Sequence, residues 1–294
     1  MSYTSIRRFY NTNVTLNHNT GDVWSNLPTH GLLKISHVPG VIITPACDLA
    51  NEKADTLTYL PVLSISQWLS TRAFYPEVRR QFTNLLDSLK LQNLRECLPS
   101  GVLPENDGIN ILRRAFESVL DDKKLEASSR RCLNGILHLE KIVSSNDESA
   151  NISELEHFFG KNNFKELIYK VIRNSFSNEI HFIPADEQNK MWSIINDPSL
   201  VLFRYPLTAP LEVFEYAQRA RPDDWENEIG KLALKVPFIS NFGAERPLKG
   251  LQINEQFLHD MLVRFVNLFS RLGSPDFTSD SISRVYLSLG GSSE

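Results

Sequence analysis

The chain has 294 residues, 41% of them hydrophobic and 10% aromatic, which excludes global disorder and allows one large domain or two ordinary ones. Its net charge of −4, with acidic and basic residues interspersed, excludes a generic polyanion-binding protein. A local basic patch remains compatible with this composition.

The three cysteines predict a reducing compartment. Cys47, Cys97 and Cys132 are far apart, form no CxxC or Cys/His spacing and leave one thiol unpaired in any disulfide scheme. We therefore expect no structural zinc site. The first residues, MSYTSIRRFYNTN, lack the apolar core of a signal peptide, and no run of about eighteen apolar residues occurs. We expect a cytoplasmic protein that does not bind a membrane.

The clearest strand signal lies between Gly40 and Leu63. Residues 41–44 are rich in β-branched side chains, and the strand is expected to end at Pro45, which cannot donate a backbone hydrogen bond. A second strand is predicted over 56–62. The connection between the two strands contains Cys47 and Asp48.

From residue 66 the apolar period changes from two to about three and a half, which predicts helices. The predicted helices span 66–72, 77–97, 110–120, 128–143 and 152–176. Strands return at 180–183 and 200–205, each followed by a proline, and short helices and turns are predicted over 208–241. A last amphipathic helix is predicted over 254–272, capped by Asn254 and ended by Gly273.

Four segments occur in an order that resembles the PemK/Kid/MazF toxin family: GDVW at 21–24, LPTHG at 27–31, HVPGVIITP at 37–45 and YLPV at 59–62. The resemblance covers residues 21–65 and implies a small SH3-like β-barrel. Members of that family cleave single-stranded RNA with an arginine before one proline and a threonine after another. The matching positions here are Val38 and Leu63, so the resemblance implies a barrel without its catalytic pair.

Together these patterns predict an α+β protein in which a small SH3-like β-barrel is interrupted by a helical insertion and closed by a C-terminal amphipathic helix. Residues 1–65 form the first part of the barrel and 66–178 the insertion. Residues 179–294 supply the remaining barrel strands and the docking helix. The TPACDL motif at 44–49 and the RFVNLFSRLGSPD motif at 264–276 are also similar to uncharacterised bacterial proteins of defence and conflict loci.

The leading functional hypothesis is a non-catalytic binding or assembly component of a bacterial antiviral defence or toxin–antitoxin-like system. Its expected partner is a protein from the same locus, with RNA or DNA as alternative ligands. A second hypothesis is an endoribonuclease with relocated groups, for which Lys34, His37 and Ser64 are the candidates near the motif. No phosphate-binding loop, GxGxxG, HExxH or GxSxG motif occurs, so no cofactor and no metal are expected.

A third hypothesis is an enzyme that uses the Cys47 thiol, with Asp48 beside it. Such a nucleophile needs a base within reach, for which His37 and His181 are candidates. The alternative is that Cys47 is buried and that the Asp48 side chain caps the turn. Arg131 and His138, seven positions apart, loosely resemble the spacing in HEPN-type ribonucleases, although structural roles are the commoner explanation.

Overall fold

A computed structural model describes residues 9–12, 15–120, 123, 125–144, 150–189 and 193–270. Its strands are β1 (Tyr10–Asn11), β2 (Asp22–Pro28), β3 (His37–Ile42), β4 (Thr56–Ser64), β5 (Ile180–Ile183), β6 (Ser199–Leu202), β7 (Leu207–Pro210) and β8 (Leu248–Ile253). All pairings are antiparallel, and the sheet order is β1-β8-β2-β3-β4-β6-β5, with β7 also paired to β4. The predicted α+β class is confirmed.

Strand β4 is the centre of the sheet. One of its edges pairs with β3, from Ile42 opposite Tyr59 to Gly40 opposite Pro61. Its other edge pairs with β7 along its first half and with β6 along its second half. The path through the sheet ends at β1 and β5, so the sheet of the described residues is open.

The helices are α1 (Ala46–Ala50), α2 (Ile65–Leu69), α3 (Tyr75–Ser88), α4 (Asn106–Ser118), α5 (Glu126–Val143), α6 (Ile152–Phe159), α7 (Lys161–Ile172), α8 (Leu211–Arg219), α9 (Trp225–Ala233) and α10 (Glu255–Phe269). Short 3₁₀ helices span Gln92–Cys97, Pro222–Asp224 and Pro237–Phe242. Helices α2 to α7 lie between β4 and β5 in the chain, and the strands on both sides belong to one sheet.

Two of the helices predicted from periodicity are broken by local backbone geometry. The predicted helix 152–176 is two helices, because Gly160 between them has φ of +84°, a conformation that glycine adopts without a Cβ clash. The predicted helix 77–97 ends at Ser88, and Lys90 with φ of +58° precedes the first 3₁₀ helix. In both segments the apolar side chains follow a helical period in the sequence, although the backbone forms two shorter helices.

The two faces of the sheet are covered by different helices, as the alternation of side chains along a strand requires. Trp24 and Tyr59 pack with Phe214 of α8 and with α9. Their neighbours Val23 and Leu60 point to the opposite face and pack with Met261 of α10. A third core lies among α2 to α7 and reaches the sheet at β4 and β6. The sheet is thus a layer buried between α8 and α10.

Candidate functional site

The three groups considered for RNA cleavage lie at the same end of the antiparallel β3–β4 pair. Each makes a hydrogen bond that holds the fold. Lys34 precedes β3, and its Nζ donates to the carbonyl of Lys141 in the last turn of α5 at 2.7 Å. Ser64 is the N-cap of α2, where its Oγ accepts from the backbone N–H of Gln67 at 3.2 Å. The Ser64 hydroxyl thus caps the N-terminus of α2, and the Lys34 ammonium binds a carbonyl at the C-terminus of α5.

His37, the third group, contacts the C-terminal half of the chain. Its Nε2 donates to the carbonyl of Asn241 at 2.9 Å, which sets the tautomer that carries the proton on Nε2. The Asn241 side chain in turn lies 3.0 Å from Nδ1 of His30. His37 therefore links the start of β3 to the 3₁₀ helix Pro237–Phe242.

Cys47 and Asp48 lie in α1, at the opposite end of the β3–β4 pair from His37 and Ser64. Cys47 is exposed, so the interpretation of a buried small side chain is wrong. Its Sγ lies 3.7 Å from the Asp48 carboxylate. The turn after α1 is closed by the backbone carbonyl of Asp48, which accepts from the N–H groups of Lys53 and Ala54, so the capping atom differs from the expected carboxylate.

The remaining candidates are structural. Arg131 donates to the carbonyls of Phe158 and Phe159 and so caps the end of α6. His138 is buried within the helical core, and burial lowers its pKa to about 4. His181 is buried in β5 and stacked on Phe203, again with its pKa lowered by burial to about 4. Arg131 and His138 therefore form no catalytic pair, and His181 is a buried side chain of the core.

A cavity of about 560 Å³, which we call the α1 pocket, opens beside α1. Its walls are the segment before β2, α1 with the turn that follows it, and α8. Its lining residues are Leu16, Asn17, His18, Asn19, Leu49, Ala50, Glu52, Leu211, Glu215, Gln218 and Arg219. Most of these positions were assigned no role from sequence.

A buried ion pair holds the wall formed by residues 15–19. Lys249 of β8 places its Nζ 2.6 Å from Oδ2 of Asp22, and the two side chains are only 6% and 1% exposed. The same ammonium donates to the carbonyls of Thr15 at 3.0 Å and Asn17 at 2.6 Å. Asp22 also accepts from the backbone N–H of Asn19 at 2.7 Å. One charged pair thus fastens the loop to the sheet.

This loop places His18 against the floor of the pocket. The His18 side chain is 7% exposed, and its ring stacks on Trp24 with the ring centroids 5.7 Å apart. Its Nε2 lies 3.4 Å from Glu215 Oε1, a loose contact, and neither ring nitrogen has a well-aligned hydrogen-bond partner within the described residues. Burial lowers the pKa of His18 and Lys249 reinforces that effect, whereas Glu215 opposes it. The imidazole is therefore neutral near pH 7.

The α1 pocket combines hydrogen-bond donors and acceptors with apolar walls. Besides His18 it carries three side-chain amides, two carboxylates and one guanidinium, while three leucines supply apolar surface. Glu215, whose side chain is 36% exposed, also pairs with Arg219 one turn along α8. Amides and carboxylates can satisfy both donors and acceptors of a planar polar ligand, and the leucines can contact its faces.

No protein-family model, curated protein or solved structure matches this chain. Among the described residues, no helix has the length and apolar character needed to cross a bilayer. The same part of the chain contains no group of three or more His, Cys, Asp or Glu side chains placed to hold a metal ion. The geometry of the α1 pocket is therefore the basis for a functional proposal.

The α1 pocket is not predictable from local sequence patterns, because its lining comes from distant segments of the chain. One signal was nevertheless present at Asp22, a carboxylate at the start of an apolar strand. A carboxylate that is buried with Val23 and Trp24 requires a cationic or N–H partner. That requirement pointed to a buried lysine or arginine, although not to Lys249 in particular.

Proposed function

We propose that the protein is a non-catalytic RNA-binding protein whose α1 pocket holds an unpaired base of single-stranded RNA. The observation that carries this proposal is the composition of the pocket, since amide and carboxylate groups beside apolar walls suit the edge and the faces of a base. A volume of about 560 Å³ lies within the range of small-molecule sites.

The hydrogen bonds of Lys34, His37 and Ser64 support binding without cleavage. Lys34 and His37 donate to backbone carbonyls, Ser64 caps a helix, and none of the three lines the α1 pocket. General acid–base catalysis needs a group within reach of the proton that it moves. A ribonuclease built on these three residues would have to break contacts that hold the fold together.

We further propose that the sheet is an open relative of the SH3-like toxin barrel. The four segments that resemble the toxin family fall on β2, β3 and β4 and on the loops that join them. These three strands are neighbours in the sheet, in the order of the chain. The same resemblance leads us to propose a bacterial defence or toxin–antitoxin-like system as the setting, with a protein of that system as a partner.

Binding and cleavage of single-stranded RNA by the purified chain test this proposal. We expect the RNA to be bound and to keep its length. Glu215→Gln should weaken binding at least about tenfold, because it removes a charged acceptor from the pocket. Glu212→Gln, on an exposed position of the same helix outside the pocket lining, is the matched control and should bind like the parent.

Absence of RNA binding would overturn the proposal, and so would either of two further outcomes. The first is cleavage of the RNA that disappears in His37→Ala, which would restore the ribonuclease hypothesis. The second is equal binding by the Glu215→Gln and Glu212→Gln proteins, which would remove the α1 pocket from the binding site. Urea unfolding of each variant separates a loss of binding from a loss of folded protein.

A further inference from the structure

We propose that a second cavity, of about 360 Å³, binds a phosphate group. This arginine cleft is lined by guanidinium groups from three segments: Arg72 before α3, Arg79 within α3, and Arg204 after β6. Within the described residues, Glu179 supplies the one carboxylate of its lining. The inference goes beyond the proposed function, since it concerns residues outside the α1 pocket and does not depend on it.

Hydrogen bonds fix the floor of the arginine cleft before any ligand arrives. Arg79 Nε donates to the carbonyl of Leu98 at 2.7 Å, and the Tyr75 hydroxyl donates to the carbonyl of Pro99 at 2.9 Å. Both bonds hold the loop that follows the first 3₁₀ helix against α3. The bond from Nε thereby positions the Arg79 guanidinium, which lines the cavity. A preorganised site loses less conformational entropy on binding.

The other two arginines differ in how they are held. Arg204 contacts Oε1 of Glu179 through Nε at 3.0 Å and Nη2 at 2.8 Å. Arg72 is exposed and makes no hydrogen bond or ion pair to another described side chain. Arg72 does act on Tyr205, whose pKa is raised by burial and lowered in part by this guanidinium. The cleft therefore carries three cations against one carboxylate, with a neutral phenol beside them.

Phosphate is the ligand chemistry that this arrangement fits. Guanidinium groups bind phosphate oxygens in pairs of parallel N–H···O bonds, and a terminal phosphate carries a charge of about −1.5 to −2. That charge balances the excess of cations in the cleft. The positive end of the α3 dipole adds to the attraction, since Tyr75 and Pro76 of its first turn line the cavity. Both a free nucleotide and the 5′ end of an RNA present such a group.

Calorimetric titration of the full chain with adenosine 5′-monophosphate, inorganic phosphate and adenosine tests the proposal. We expect inorganic phosphate to bind, and adenosine monophosphate to bind more tightly than adenosine, whose base alone is a ligand for the α1 pocket. Arg72→Gln and Arg204→Gln should each weaken adenosine monophosphate binding at least about tenfold. Arg130→Gln removes the same charge from an exposed arginine on α5 and should have no effect.

The source of the phosphate is resolved by a second pair of probes. A short single-stranded RNA with a 5′-phosphate that binds more tightly than the same RNA with a 5′-hydroxyl would identify an RNA end. Adenosine monophosphate that binds more tightly than either RNA would identify a free nucleotide.

Three results would overturn the phosphate site. They are no binding of either phosphate, equal binding of adenosine and adenosine monophosphate, and an equal loss in the Arg130→Gln protein. Urea unfolding of the variants shows that they are folded. Glu215→Gln should leave phosphate binding unchanged, so the α1 pocket and the arginine cleft can fail or succeed separately.

Discussion

Lys249 Nζ and Asp22 Oδ2 are 2.6 Å apart in the interior of the protein, and this ion pair joins β8 to the start of β2. Burial raises the pKa of the Asp22 carboxyl even though Lys249 opposes the shift. Desolvation thus outweighs the attraction between the charges, as is common for buried pairs. The pair is better explained as the anchor of the loop that carries His18 than as a source of stability.

Removing the ammonium should therefore destabilise the fold more than removing both charges. We expect Lys249→Met to lower the free energy of unfolding by about 3–5 kcal/mol, because it leaves Asp22 buried without its cation. The double variant Asp22→Leu with Lys249→Met should recover most of that loss. Urea unfolding measures both. A double variant that is as unstable as the sum of its single variants would contradict this account.

The fold should lose stability on mild acidification. The pKa of His181 is about 4 in the folded protein, against an ordinary value of 6.5, so the unfolded chain binds the proton first. The contribution of the neutral ring to the free energy of unfolding is fully present above about pH 6.5. This contribution, roughly 3 kcal/mol, is lost as the pH falls from 6.5 to 4. His138 acts in the same direction.

This pH dependence is measurable as the slope of the free energy of unfolding against pH. In His181→Gln the slope between pH 6 and pH 5 should fall by about 1 kcal/mol per pH unit relative to the parent. The charged groups that face this histidine, Asp260 and Arg264 of α10, are retained in the variant. Identical slopes in the two proteins would show that His181 does not govern the response.

Two helix glycines should respond in opposite ways to alanine. At Gly135 in α5 an added Cβ would lie 2.5 Å from Cδ2 of Phe158 and 2.7 Å from Cζ of Phe82, so we expect Gly135→Ala to cost about 1–3 kcal/mol. At Gly230 in α9 an added Cβ would have no atom within 4 Å apart from its own stretch of helix, and Gly230→Ala should stabilise by about 0.5–1 kcal/mol. Thermal or urea unfolding compares the two. A stable Gly135→Ala protein would mean that α5 and α6 do not pack as closely as described.

The three thiols should differ in reactivity. Cys47 is exposed, whereas burial raises the pKa of Cys132 to about 12 and also raises that of Cys97. Since the thiolate is the reactive form, iodoacetamide at neutral pH should modify Cys47 first and reach Cys132 only after unfolding. Mass spectrometry of the time course measures this order, with Cys47→Ser as the control. Rapid labelling of Cys132 in the folded protein would contradict the burial described here.

The same alkylated protein tests the hypothesis of a Cys47-dependent function. Cys47 is not among the residues that line the α1 pocket. Its modification should therefore leave RNA binding unchanged. A loss of binding on alkylation, absent in the Cys47→Ser protein, would bring this thiol into the site.

Elements with strong local patterns could be predicted from the sequence. The strand Ile180–Ile183 was predicted with its exact bounds, and α10 begins within one residue of its predicted start. The predicted end of α10 at Gly273 lies outside the described residues. Strand β8, with the sequence LKGLQI, was missed because its pattern is weak. Its conformation depends on pairing with β2 and β1, which are more than 200 positions away in the chain.

The candidate site was predicted less well, for a related reason. Lys34 and His37 lie before and at the start of β3, and Ser64 ends β4, so the antiparallel pairing places all three at one end of this strand pair. Whether such groups are available for chemistry depends on their partners, and Lys141 and Asn241 are more than 100 positions away from the groups that they hold. Sequence spacing contains no information about these bonds.

The sequence by itself determined the α+β class and the succession of strands, helices and strands, because the periods of apolar residues are local properties. Only the tertiary structure decided which polar groups share a cavity. Thr15 and Lys249, whose contact holds the wall of the α1 pocket, are 234 positions apart. The physical reason is that a buried charge must find its partner wherever the sheet places one, and the order of strands in a sheet is not the order of the chain.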